Sequence, residues 1–144
     1  MHPDLPVRIL VLRPPGGVTF AVQKGKDELL PPAEITEEHL TFDFTLRVHG
    51  DPQEGPPNFR GPFAQGPPHG RFVYVNSGTA AGQHASVWTR RAKIQLGGIG
   101  WDLIAKVQAK DGALLEARIA GTGKDGGPAC ATVPLVGGGW KVVP

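Results

Sequence analysis

Cysteine occurs once in this 144-residue chain, at Cys130. A single thiol cannot close an intrachain disulfide, and four-thiolate zinc sites are excluded by the same count. No apolar run approaches the roughly 20 residues that a membrane-spanning helix needs. Serine appears only at Ser77 and Ser86, neither in a Gly-x-Ser-x-Gly elbow, and Cys130 lies between Ala129 and Ala131 on an expected strand, the ordinary setting of an inert buried thiol. Nucleophilic catalysis, which needs a hydroxyl or thiol beside a base, has no motif to rest on. The five histidines, His2, His39, His49, His69 and His84, are nowhere closer than 10 residues apart, so the tight spacing of helix-borne or finger-type metal ligands is missing and no metal is expected. Both nucleotide signatures are absent as well: Gly98-Ile99-Gly100 lacks the third glycine of the dinucleotide pattern, and Gly123-Lys124 runs into Asp125. No cofactor is expected. The opening Met-His-Pro-Asp-Leu-Pro carries an acid and two prolines ahead of a short hydrophobic stretch, the wrong layout for a secretory leader, which makes the cytoplasm the expected compartment.

Glycine and proline, by contrast, are abundant: 21 and 15, a quarter of the chain. Hydrophobic residues still make up 40% and fall in short ordered runs between the breakers, which predicts one folded, turn-rich domain over residues 1–144 rather than disorder. A chain near this length buries roughly 68–70% of its unfolded surface, enough for one core. From Leu40 to His49, apolar Leu40, Phe42, Phe44, Leu46 and Val48 alternate with polar partners, the period of a strand with one buried face. Val18, Phe20, Val22 and Ala92, Ile94, Leu96 repeat the pattern. Shorter runs at residues 7–12, 72–75, 114–120, 129–133 and 140–143 bring the total to about eight strands. One stretch reads as helix, residues 99–110, where Ile99, Leu103, Ile104 and Val107 keep three-and-four spacing ahead of Asp111-Gly112. The fold class expected is all-β, mainly antiparallel: a single-domain sandwich or barrel of about eight strands with one short helix.

Two segments lie outside this strand pattern. Residues 24–39 form an acidic excursion around Pro31-Pro32, and residues 55–71 a Gly/Pro-rich loop in which Phe59 and Phe63 argue for ordered packing. Charge divides the chain further. Residues 1–54 hold nine acids and five bases, whereas residues 55–101 hold no acid and five bases: Arg60, Arg71, Arg90, Arg91 and Lys93. Either these cations pair within the fold with the acidic excursion or Asp43, or they line a surface for an anion, whose carboxylate or phosphate suits the planar guanidinium fork. Arg90, Arg91 and Lys93 beside Trp88, with Phe72 and Tyr74, also invite nucleic acid, but the net charge is only +2 and no RNA-binding strand signature is present.

The ligand-binding candidates are therefore Gln65, His69, Arg71, Tyr74, Asn76, Arg90 and Arg91, where rigid Gly-Pro backbone adjoins polar and aromatic side chains. The expected function is a non-catalytic binding module for a small anionic ligand or an acidic segment of a partner protein, with neither nucleic acid nor membrane as partner. A small hydrolase or isomerase with His69 or His84 as general base is the alternative, so catalytic residues are unassigned and the enzyme question stays open. A homo-oligomer pairing exposed strand edges is the third reading.

Residues 59–68 (Phe-Arg-Gly-Pro-Phe-Ala-Gln-Gly-Pro-Pro), 71–74 (Arg-Phe-Val-Tyr), 90–94 (Arg-Arg-Ala-Lys-Ile) and 125–135, with Trp140, together resemble the uncharacterised bacterial family catalogued as domain of unknown function 5990. The resemblance spans nearly the whole chain. It implies a small bacterial single-domain protein and brings no activity, cofactor or catalytic residue.

Overall fold

The computed structural model describes residues 4–14, 18–26, 28–51, 53, 55, 57–65, 72–79, 88–96, 99–102, 104–105, 115–120 and 141–143. The alternating run becomes the longest strand, β5 (His39–His49), with Leu40, Phe42, Phe44, Leu46 and Val48 all buried. Beside it lies β1 (Asp4–Leu12), whose Leu5, Val7, Ile9 and Val11 are buried in turn. The two are antiparallel from Asp4↔Arg47 to Leu12↔His39. A parallel partner, β9 (Leu115–Ala120), lies on the other side of β1. This pair departs from the antiparallel expectation: parallel strands need a long crossover, and here roughly the whole middle of the chain intervenes. β4 (Glu34–Ile35) and β6 (Asn58–Arg60) share the remaining edge of β5, one at each end. Pro6 lies in β1, but pairing with β9 starts only at Val7, so the residue without an N–H precedes that ladder.

The second sheet runs β10 (Lys141–Val143), β8 (Trp88–Gln95), β7 (Phe72–Thr79), β2 (Val18–Lys24) and β3 (Glu28–Leu30), antiparallel throughout. The inner faces of both sheets meet in one hydrophobic cluster: Leu5, Ile9, Phe42 and Ile119 from the first sheet, Phe20 and Ile94 from the second. Among the described residues the architecture is an all-β sandwich of two five-stranded sheets. Seven of the eight expected strands coincide with β1, β2, β5, β7, β8, β9 and β10; residues 129–133 lie outside the described residues. The three extra strands are short. β3 and β4 lie within the acidic excursion and β6 within the Gly/Pro-rich loop, where two or three residues are too few to show a period.

Helical backbone is present at Trp101, Asp102, Ile104 and Ala105, and the Ile104 N–H donates to the Gly100 carbonyl at 3.3 Å. Ile99 and Ile104 face the core, 1% and 3% exposed; residues 103 and 106–110 lie outside the described residues. Trp101 packs on Gly50, whose φ of +126° disfavours a side chain and whose Cα, if it bore a Cβ, would set that atom 3.5 Å from the indole. The Trp101 Nε1–H donates to the Gly55 carbonyl at 2.6 Å. One aromatic side chain thus pins the turn between β5 and β6 to the helical segment. No helix among the described residues is long and apolar enough to cross a membrane.

Candidate functional site

Residues 61–65 hold the Gly/Pro-rich loop against both sheets. Phe63 stacks on Phe44 of β5 with ring centroids 4.6 Å apart and planes at 28°, and Phe59 is 2% exposed. Gln65 pairs with Phe72 through two backbone hydrogen bonds of 2.7 and 2.9 Å. Its amide Nε2–H₂ donates to the carbonyls of Pro62 at 2.7 Å and Gly25 at 3.4 Å. The Gly25 N–H in turn donates to the Pro62 carbonyl. Gly25, at φ +67°, is the turn where β2 gives way to β3, so this small network fastens the loop beside Lys24.

The remaining predicted residues distribute as follows. Asn76 is 2% exposed, and its Nδ2–H₂ donates to Gln23 Oε1 at 2.8 Å; Gln23 donates onward to the Gly25 carbonyl at 3.0 Å. Gln65 and Asn76, eleven positions apart in sequence, therefore meet at the Gly25 turn. Tyr74 stacks with Phe72 at 6.0 Å. The β7–β8 register pairs Asn76 with Arg91, Ser77 with Arg90 and Tyr74 with Lys93, which brings Tyr74, Asn76, Arg90 and Arg91 onto adjacent strands. The side chains of Arg90 and Arg91 lie outside the described set, as do residues His69, Arg71 and His84.

A pocket of about 210 Å³ opens beside the loop, lined among others by Asp4, Lys24, Thr45, Arg47, Arg60 and Phe63. Arg47 and Arg60 are directly opposed in the β5–β6 ladder, and Asp4 opposes Arg47 from the β1 side. Both arginines are exposed, and among the described residues neither forms an ion pair. Lys24 has Glu28 at 3.8 Å, a loose exposed contact, and its Nζ sits 5.9 Å from the Phe63 ring centroid, within cation–π reach. Asp43, one of the acids to which the central cations were tied as an internal alternative, is instead engaged by Arg8, with Nε–Oδ1 at 2.8 Å and Nη2–Oδ2 at 3.4 Å. The Arg8 guanidinium is held above its ordinary value, first by that hydrogen bond and then by the Asp43 charge.

Lys24 and Arg47 were not among the sequence candidates, and Arg60 entered only as one cation of the acid-free stretch. Each sits in a different segment, and only strand pairing unites them. Like charges directly opposed across a ladder are destabilising, so an unpaired Arg47–Arg60 couple marks a place where an anion is electrostatically welcome. Phosphate or carboxylate could bridge the two forks. Among the described residues no three carboxylate, imidazole or thiol groups approach closely enough to hold one metal ion.

No curated protein and no solved structure is matched by the chain. The family model described as "Family of unknown function (DUF5990)" covers residues 5–143, a span that takes in the described strands and the cationic pocket apart from Asp4, the first residue of β1. The chain belongs to the DUF5990 family.

Proposed function

We propose that this chain is a cytoplasmic, non-catalytic binding module for a small anionic ligand, held where β5, β6 and the residues 61–65 loop meet the end of β2. The observation that carries the reading is the Arg47–Arg60 couple: two guanidiniums in register on neighbouring strands, in one pocket, without an ion pair among the described residues. Lys24 adds a third cation and Phe63 an aromatic wall, while Asp4 reduces the net charge of the lining from +3 to +2. A volume of about 210 Å³ suits an ion or a compact metabolite better than a large cofactor. The Gln65–Gly25–Pro62 network supports the reading further because it gives the pocket a fixed wall, and preorganised sites spend less on ordering.

The test is calorimetric titration of the full chain with phosphate, a sugar phosphate and a dicarboxylate at constant ionic strength, with chloride as the reference. Saturable binding by at least one dianion, weakened about tenfold or more in Arg47→Ala/Arg60→Ala, is the expected result. Arg71→Ala serves as the second arm: a loss there with Arg47→Ala/Arg60→Ala unchanged would move the site to the Arg71–Arg91 stretch. Absence of binding by any of the three anions sinks the reading.

A further inference from the structure

A second pocket, of about 240 Å³, lies on the outer face of the first sheet, at the opposite end of β5. Its side chains come from four strands. Glu116, Arg8 and Asp43 occupy one row across β9, β1 and β5; Leu10, Thr41 and Glu34 occupy the next across β1, β5 and β4. His39 closes the end, its Nε2 3.2 Å from Glu34 Oε1. The charges are already arranged around one built-in cation: Asp43 engages Arg8 through both oxygens, and the fields of Glu116 and Glu34 reach the same guanidinium. Three carboxylates against one guanidinium leave this lining with a formal charge of −2 when His39 is neutral. Among the described residues Glu34 and Glu116 engage their partners, His39 and Arg118, through Oε1 alone, so Oε2 of each remains to accept.

The independent observation is Thr41. It is 6% exposed, yet it lies on the polar face of β5 with Asp43 and lines the pocket. Among the described residues its hydroxyl has no hydrogen-bond partner. Buried polar groups are almost always satisfied, and an exception calls for an absent water, ion or ligand. A bare metal ion does not meet the need, because no three acidic or imidazole groups among the described residues converge on one point. A cation with several divergent N–H donors does. Its donors can be shared among the acceptors that the lining offers, Glu34 Oε2, Glu116 Oε2 and the Thr41 hydroxyl oxygen, with Leu10 and Ala33 there for its carbon stem.

We infer that this pocket is a recognition site for a primary ammonium or guanidinium group, separate from the anion pocket and independent of whether that pocket is occupied. The site performs no chemistry; it binds.

The experiment is NMR chemical-shift titration of the full chain with methylammonium and with methylguanidinium at fixed ionic strength. Tetramethylammonium, of equal charge but without N–H donors, is the control, and a doubly capped arginine stands in for a partner's side chain. Saturable shifts of the Leu10, Thr41 and Asp43 amides are expected with the N–H cations and not with tetramethylammonium. Affinity should fall about tenfold in Glu34→Gln/Glu116→Gln. In Thr41→Val, which keeps the shape and removes the hydroxyl, it should fall about fivefold with the fold intact. A response to capped arginine equal to that of methylguanidinium assigns the site to a partner's side chain, and a response to the small cations alone assigns it to a free amine. No saturable response to either N–H cation, an equal response to tetramethylammonium, or wild-type titrations in both variants would overturn the inference.

Discussion

The two ends of β5 face the same side of the same sheet and treat charge in opposite ways. At the His39–Asp43 end every ionisable side chain that lines the pocket has found a partner: Arg8 with Asp43, Glu34 with His39, and Glu116 with Arg118 two residues along β9. At the Thr45–Arg47 end, Asp4, Arg47 and Arg60 share a pocket without an ion pair among the described residues. Sheet register does not explain the difference, because Asp4↔Arg47 and Arg8↔Asp43 are both opposite charges placed directly across the β1–β5 ladder. What differs is the other neighbour. Among the described residues Asp43 has no strand partner on its second side, whereas Arg47 is flanked there by Arg60. A guanidinium pressed by a like charge is a different electrostatic object from one held in a carboxylate fork, even about 14 Å away on the same strand.

The largest effect belongs to what the two ends share: Phe42, fully buried on the inner face of β5. Phe42→Ala should cost about 3–5 kcal/mol in urea denaturation, and a cost under about 1 kcal/mol would mean that β5 does not anchor both pockets. Next comes the wall of the cationic pocket. Asn76→Ala removes a buried amide that holds Gln23 and should cost about 1–3 kcal/mol. Phosphate affinity should fall with it, since Gln23 and Gln65 share the Gly25 carbonyl; an unaltered affinity would separate the network from the pocket.

Smaller effects test the charges themselves. Arg60→Glu converts a repulsive couple into an attractive one and should stabilise the fold by about 0.2–1 kcal/mol at low salt, a gain that disappears near ~1 M salt. A salt-independent change would show that the couple is not electrostatically frustrated. At the other end, Asp43→Asn should lose only about 0.2–1 kcal/mol, because the Arg8–Asp43 side chains are 41% and 44% exposed. The sign for pH follows from Arg8, raised by its hydrogen bond and charge contact with Asp43. Its contribution is complete below arginine's ordinary value and fades only as pH climbs through the raised one. The cost of Asp43→Asn should therefore stay level from about pH 6 to about pH 9, and a slope in that window would point to another group.

Much of the fold was legible because strands with one wet face write their period into the chain. Leu40 to His49 is the clearest case, and the buried set Leu40, Phe42, Phe44, Leu46 and Val48 is the apolar half of that alternation. β4 and β6, two and three residues long, carry no period and were recognised only by their pairing with β5. The parallel β1–β9 pair was equally invisible, since nothing in Val7 to Leu12 or Leu115 to Ala120 encodes the direction of a partner over a hundred residues away. Of the chosen binding candidates the structure draws two together, and neither of them is among the residues that line the cationic pocket. Gln65 and Asn76 stood in the chosen segment, and they meet at the Gly25 turn. Lys24 and Arg47 were missed because each reads locally as an ordinary solvated cation.

Composition and periodicity by themselves pointed to an all-β chain without an intrachain disulfide and with an acid-free central third, because side-chain alternation and residue counts are properties of the linear order. Which acid neutralises which base was decided only when the strands paired. Coulomb interaction depends on distance in space, and the register that places Arg8 beside Asp43 and Arg47 beside Arg60 is written in the sum of the sheet's contacts and in no single segment.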